Sequence, residues 1–466
     1  MPHLSLSRRF ALAAWPLLLA ACATDADYRA PELALPASFQ HAGATTTTVA
    51  LQPDWWTVYA DAELDRLLRR VAEANTDLAQ AEARWRQALA QVDAARALAL
   101  PQLGAGASAT RSGGNAAAGT NAGTRQLYAA GLDFSWTPDL WGRVARSREA
   151  AMASADAQAA LTDATRLALQ LAAAQGYVRL RALDAQLVLQ AQTDVAYARS
   201  LQITQLQYEA GLVARADVIQ AETQLQSLRT QVFTLQRLRA LEANALALLA
   251  GSTPSGYPIA AREGALPAVP PVPAALPGEL LRRRPDLVAA ERALAAAHAR
   301  LGVAQRAWLP DLTLSASGTL QATSLARLLD APARVWSLGP QLAATLFDGG
   351  ARRADEATFL AAYDEQAAAW RGGVLTAVRE TEDALAQLAT LAEQDRQQQR
   401  LVALANENER VVGYRYEAGE ISFLEVAIAQ NLALSARRAA LDVQAERLAA
   451  SMALVAALGG GWQAPR

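Results

Sequence analysis

Cysteine is nearly absent from this chain of 466 residues: Cys22 is the only one, which excludes an internal disulfide framework. Histidine is almost as scarce. His3, His41 and His298 stand too far apart to form a ligand cluster, so no metal site is expected. An excess of one charge is missing as well. Lys+Arg number 43 against Asp+Glu 45, a formal net charge of −2 that offers no basic field to a phosphate backbone. Nucleic acid is therefore not an expected partner. Beyond the N-terminal segment no apolar run reaches the roughly 18 residues that a membrane-crossing helix needs. If the mature chain crosses a bilayer, it crosses as strands. Enzyme signatures are lacking too: no Gly-x-Ser-x-Gly elbow, no glycine-rich phosphate loop, no histidine beside a plausible nucleophile. The chain is not read as an enzyme, and no cofactor is expected.

What is present begins with the place of the one cysteine. Arg8 and Arg9 precede an apolar stretch from Phe10 to Ala21, and Leu19-Ala20-Ala21-Cys22 closes it with small residues before the thiol. This is a secretory signal over residues 1–21 with Cys22 placed for lipid attachment at the cleavage point, as a diacylglycerol and an N-acyl chain. Ser7-Arg8-Arg9-Phe10 leaves the general and twin-arginine export routes both open. Ala23, where lipoproteins kept on the inner membrane tend to carry Asp, directs the expectation to the outer membrane. Residues 22–60 then read as an extended, lipid-anchored segment.

The rest of the chain is written twice. Tyr208-Glu209-Ala210-Gly211 recurs as Tyr416-Glu417-Ala418-Gly419, and Asp217-Val218 is answered by Glu425-Val426, all at an offset of 208. Leu100-Pro101 faces Leu309-Pro310 at nearly that offset, and Asp139-Leu140-Trp141-Gly142-Arg143 faces Leu346-Phe347-Asp348-Gly349-Gly350 at about 207. Agreement of separate landmarks marks a duplication. The repeats are placed at 61–265 and 279–458, with a proline-rich connector at 266–278 and a tail at 459–466. Each is read as a helix, a β-hairpin (about 101–137 and 310–347) and a long helical hairpin (about 140–250 and 350–458).

The helical stretches follow from what they omit. Pro138 to Pro254 encloses about 115 residues without proline, and Pro340 to Pro465 about 124, both rich in Ala, Leu, Gln, Arg and Glu. Gly211 and Gly419 mark a turn near the middle of each. Leu167, Leu171, Ala174 and Val178 keep heptad steps, as do Leu225, Leu228, Val232 and Leu235, and Leu441, Ala445, Leu448, Met452 and Val455. Coiled-coil packing is implied. A lipid-anchored periplasmic coiled-coil scaffold or adaptor would account for these rods, but not for the strands.

Four segments alternate. Tyr128, Ala130, Leu132, Phe134 and Trp136 oppose Ala129, Gly131, Asp133 and Ser135; Leu312, Leu314, Ala316, Gly318 and Leu320 oppose Asp311, Thr313, Ser315, Ser317 and Thr319. Leu103, Ala105, Ala107 and Ala109 do so in the first hairpin, and Leu338, Leu342, Ala344 and Leu346 in the second. Each runs about 9 to 11 residues, the length of a tilted membrane strand. Four strands open to lipid leave edge N–H and C=O groups unpaired, so other copies must close the sheet. Two copies give eight strands and three give twelve; geometry alone does not choose. Trp136, Trp141, Trp308 and Trp336 stand at strand ends, where aromatic rings favour the headgroup boundary, although Trp141 equally suits a strand-to-helix corner.

Asp139-Leu140-Trp141-Gly142-Arg143, Leu281-Arg282-Arg283-Arg284-Pro285-Asp286 running on to Leu309-Pro310, and Leu346-Phe347-Asp348-Gly349-Gly350 together resemble the outer-membrane efflux factors. These are the TolC-like channels, and the likeness is to their NodT-type lipoprotein branch. Trp55-Trp56, Asp61, Leu64 and Asn75-Thr76-Asp77-Leu78 fit the same family pattern. The resemblance implies a membrane α+β fold: a homotrimer whose 12-stranded β-barrel, four strands per protomer, continues into a long periplasmic α-helical barrel. It implies passive conduction from an inner-membrane pump and a periplasmic adaptor to the exterior. It also implies that the helix-turn tips, Gly211, Leu212, Val213, Gly419, Glu420 and Ile421, are the adaptor contact and gate. Relatives often carry an acid where this chain has Ile421, so either Glu420 supplies the gate's acidic ring or the gate is partly apolar.

Overall fold

A computed structural model describes residues 28–31, 33–41, 53–113, 124–264, 266–271, 283–329 and 334–462. The elements run in chain order as α1 (Ala62–Ala74), α2 (Thr76–Ala97), β1 (Gln102–Ser112), β2 (Arg125–Trp136), α3 (Arg143–Glu209) and α4 (Arg215–Leu249). They continue as α5 (Pro285–Arg306), β3 (Asp311–Ala322), β4 (Arg334–Ala343), α6 (Ala351–Glu417) and α7 (Phe423–Ala457), with a 3-10 turn at Trp55–Tyr59 before α1.

The duplicated helices match in length. α3 and α6 have 67 residues each, α4 and α7 have 35 each, and both pairs stand at offset 208. α2 and α5 have 22 residues each, at offset 209. One residue is therefore lost in the second copy between β4 and α6. Asp139-Leu140-Trp141-Gly142 has become Asp348-Gly349-Gly350, so Asp139 matches Asp348 at 209 and Gly142 matches Gly350 at 208. This corrects the offset of about 207 read from the sequence. Both aspartates do the same work. Asp139 accepts from Val144 N (3.1 Å) and Ala145 N (2.7 Å), and Asp348 accepts from Gly350 N (2.9 Å) and Arg352 N (3.3 Å). Each supplies a carboxylate to the orphan N–H groups at the start of a long helix.

The chain forms two compact units, and they are not the two repeats. One holds 84–158 and 290–370 with the N-terminal residues; the other holds 33–83, 159–289 and 371–466. Each takes material from both copies, so the division at 61–265 and 279–458 is one of sequence and not of packing. The physical reason lies in the sheet of the first unit, whose order is β1-β2-β3-β4, antiparallel throughout. β2 of the first repeat pairs with β3 of the second, which ties the copies together.

The second unit is built on the apolar seam of the long helices. Trp55, Trp56, Tyr59, Leu64, Leu68, Tyr177, Leu180, Leu246, Leu448 and Met452 are buried in one cluster. This explains the N-terminal pattern. Trp55 and Trp56 are core, Asp61 caps α1 through Glu63 N (2.9 Å) and Leu64 N (3.2 Å), and Asn75 caps α2 through Asp77 N (2.8 Å) and Leu78 N (3.1 Å). Of the heptad positions, Ala174, Val178, Leu225, Leu228, Leu448, Met452 and Val455 are buried and the others half-buried.

The four long helices end alike. At Gly211, Gly251, Gly419 and Gly459 the φ angle is positive, at +73, +68, +77 and +94. Leu212 N reaches Gln207 O at 2.9 Å while Gly211 N reaches Tyr208 O at 2.9 Å, and Glu420 N reaches Arg415 O at 2.9 Å while Gly419 N reaches Tyr416 O at 2.9 Å. These are Schellman caps, which need a left-handed residue that glycine adopts without cost.

Candidate functional site

The strand register sorts the sheet into two chemical faces. Directly opposed residues in antiparallel pairs point the same way. Gly104, Asp133, Ser317 and Ser337 are in one row, and Ala107, Ala130, Leu320 and Arg334 in another, three positions along and on the other face. Across all four strands one face carries Gln102, Ser108, Thr110, Asp133, Ser135, Asp311, Thr313, Ser315, Ser317, Thr319, Gln321 and Gln341. The other carries leucine, alanine, Phe134, Trp136 and Trp336. Asp133 and Asp311 share the polar face. Ser317 and Ser337 hydroxyls are 2.9 Å apart on it, and Arg143 Nη2 meets Asp311 Oδ1 at 3.0 Å. Apolar residues of the other face stand exposed: Leu103 at 72%, Leu338 at 76% and Trp336 at 79%. Leucine in this state is the expected surface of a sheet that faces hydrocarbon.

β4 is shorter than the alternation suggested. It ends at Ala343, so Ala344, Thr345 and Leu346 lie outside the ladder, and the hairpin stops before 347. β3 begins at Asp311, opposite Ala343, after Pro310, and Arg352 packs beside this end. Its Nη2 donates to Thr345 O at 2.7 Å and its Nε to Asp348 at 2.6 Å, while its guanidinium lies 4.5 Å from the Trp308 ring centre. The tryptophans divide. Trp141 donates to Pro310 O at 2.6 Å and is half-buried, the corner reading; Trp136 donates to Ala99 O at 3.0 Å; Trp336 projects freely from β4.

At the helix-turn tips the two copies differ. Tyr416 is buried with Phe423, Val426, Ala427 and Ala221, whereas its counterpart Tyr208 is 43% exposed. Thr204 donates to Ser200 O at 2.8 Å, so the Tyr416 hydroxyl, 2.8 Å from Thr204 Oγ1, must donate to it. Burial raises the Tyr416 pKa. Ile421 packs against this same cluster. It is half-buried there. Leu212 is 75% exposed, and Val213 is half-buried. Glu420 is exposed and pairs with Arg415, Nε to Oε2 at 3.2 Å. Arg415 was missed from sequence, although a Schellman turn at Gly419 folds position 420 back over it. Below the tips, buried Gln430 donates to Ser200 Oγ (2.9 Å) and accepts from Gln224 (3.2 Å), joining the two hairpins side by side.

Cys22, the proposed lipid site, lies outside the described residues, as do Leu281 and Arg282.

Comparison with known proteins agrees with this architecture. A sequence model of the outer membrane efflux protein family matches residues 67–252 and again 276–460. Outer membrane protein OprJ of Pseudomonas aeruginosa is 31% identical over 97% of this chain and 95% of its own. Nodulation protein T of Rhizobium leguminosarum bv. viciae is 32% identical over 99% and 95%. The solved outer-membrane channel OprN superposes with a TM-score of 0.89 at 30% identity, covering 95% of this chain and 100% of that one. Matched twice by the family's pattern and aligned nearly end to end with its channels, the chain belongs to the outer membrane efflux protein family.

Proposed function

We propose that three copies of this chain close their sheets into one 12-stranded barrel in the outer membrane and continue it as a tube of long helices in the periplasm. The chain is an outer-membrane efflux component by family. The observation that carries the finer reading is the sheet itself: among the described residues β1 and β4 each lack a neighbour on one side, and one face is predominantly apolar, with Leu103, Leu132, Leu338 and Trp336 exposed on it. Unpaired edges inside lipid cost several kcal/mol per group, and pairing β4 of one copy with β1 of the next removes them. The polar face, with Asp133, then lines water.

Cys22 carries a diacylglycerol and an N-acyl chain and anchors the N-terminus. The tips at Gly211, Leu212, Val213, Gly419, Glu420 and Ile421 meet a periplasmic adaptor, which joins the tube to an inner-membrane pump. Solutes pass without a tight binding site. Cargo selection belongs to the pump.

Conductance in planar bilayers tests this. Ser317→Lys, on the polar face, is expected to shift ion selectivity toward anions while pores still form. Leu338→Lys, on the apolar face near mid-strand, is expected to suppress insertion, at a cost of about 2 to 4 kcal/mol per lysine. Failure of the unaltered protein to form pores, or identical behaviour of the two variants, would refute the reading.

A further inference from the structure

The apolar face carries two charges, both arginine. Arg111, next to last in β1, is paired with Gln126, and Arg334, first in β4, is paired with Leu320; this register puts both on the side of Leu103, Leu132, Leu338 and Trp336. A guanidinium on a lipid-facing surface is costly at mid-bilayer and cheap only near the headgroups. Both lie toward the hairpin-loop ends of their strands, with Tyr128 and Trp336 set further in as aromatic neighbours. Neither forms an ion pair among the described residues, and both are exposed.

The surrounding charge has the same sign. Around the two hairpin loops the sequence places Arg111, Arg125, Arg327 and Arg334 against the single acid Asp330. The other acids of the strands, Asp133 and Asp311, belong to the opposite face.

We propose that Arg111 and Arg334 hold the phosphates of a phosphorylated, multiply acylated glycolipid of the outer leaflet at the junction between protomers. The inference rests on the threefold closure above. β1 and β4 are the two edge strands, so closure brings β4 of one copy beside β1 of the next. Each of three seams then carries an Arg111 and an Arg334 from different chains, and the site is incomplete in one protomer. Guanidinium forks suit phosphate oxygens, and acyl chains lie along the leucine and alanine face below. The lipid thereby staples the seam.

The test uses the full-length assembled protein in detergent, its mass measured first, so that loss of the closure is recorded separately. The heat-dissociation midpoint is then followed with a bis-phosphorylated acylated glucosamine disaccharide, with its dephosphorylated counterpart, and with inorganic phosphate. Only the phosphorylated amphiphile is expected to raise the midpoint. Arg111→Gln with Arg334→Gln is expected to weaken its apparent affinity about tenfold, the loss of two charge-assisted contacts, while Arg125→Gln on the other face leaves it unchanged. Equal stabilisation by the two amphiphiles, stabilisation by inorganic phosphate alone, or undiminished affinity in the double variant overturns the proposal. Should the double variant not assemble, the comparison of the two amphiphiles on the unaltered protein decides.

Discussion

The carbonyl oxygen of Ala74 occupies the space that a Cβ on Gly251 would need. The second repeat keeps the relation: the carbonyl of Arg283 stands in the same place against Gly459. Beside each, a side chain from the start of the next helix donates to the end of the long one. Asn75 Nδ2 reaches Leu249 O at 2.9 Å, and Arg284 Nη1 reaches Ala457 O at 3.3 Å. Each repeat thus locks the C-terminus of its return helix onto the short helix that leads to its strands.

Gly251→Ala and Gly459→Ala are therefore expected to destabilise by about 2 to 4 kcal/mol each, since left-handed backbone strain and a backbone clash act together. Thermal dissociation of the purified protein checks this. Gly211→Ala, with a similar φ but open space around it, is expected to lose only the conformational part, about 1 kcal/mol.

On the polar face of the sheet two glycines make contrasting neighbours. A Cβ at Gly104 would meet the Asp133 carboxylate at 2.5 Å, which can rotate away; a Cβ at Gly131 would meet the Gly318 carbonyl at 2.7 Å, which cannot. Gly131→Ala is expected to lower the yield of assembled protein, whereas Gly104→Ala assembles normally. Extraction of membrane fractions compares them, and equal yields would contradict the register.

Glu420→Ala is expected to raise single-channel conductance, because it removes the acid nearest the expected gate and frees Arg415. The pair itself is exposed and contributes only about 0.2 to 1 kcal/mol, so the fold should survive. Unchanged conductance would remove Glu420 from the gate.

Asp61 carries the pH dependence of the α1 joint. Burial alone would raise its pKa, but Leu64 N, Glu63 N, the Tyr177 hydroxyl (3.0 Å) and Arg262 Nη1 (2.9 Å) together hold it below the ordinary carboxylate value. A depressed pKa gives stability that is present above the unfolded value near about 4 and lost as pH falls below it. Asp61→Asn is expected to lower the thermal midpoint at pH 7 and to flatten its decline below pH 4. A parallel decline in both proteins would contradict this assignment.

Much of this was legible in the sequence, for identifiable reasons. Period-two alternation placed Asp133 and Asp311 on one face because a strand has only two. The 208 offset set α3 against α6 and α4 against α7 because the copies kept their lengths. The end of β4 was not legible from alternation, which runs on to Leu346 although the partner strand starts only at Asp311, opposite Ala343. Nor was the joint at Gly251, whose partner Ala74 lies far away in sequence, so its glycine reads only as a helix terminus. At the tips, the packing of Ile421 against the Tyr416 cluster was not legible, because residue type alone does not say which side of a turn faces its neighbours.

The central claim is that one chain supplies a third of a closed barrel. Native mass spectrometry of the protein released from detergent micelles measures this directly. The account predicts a species of three chains, each with a mass increment for the acyl groups on Cys22. A monomer or dimer as the largest stable species would contradict it.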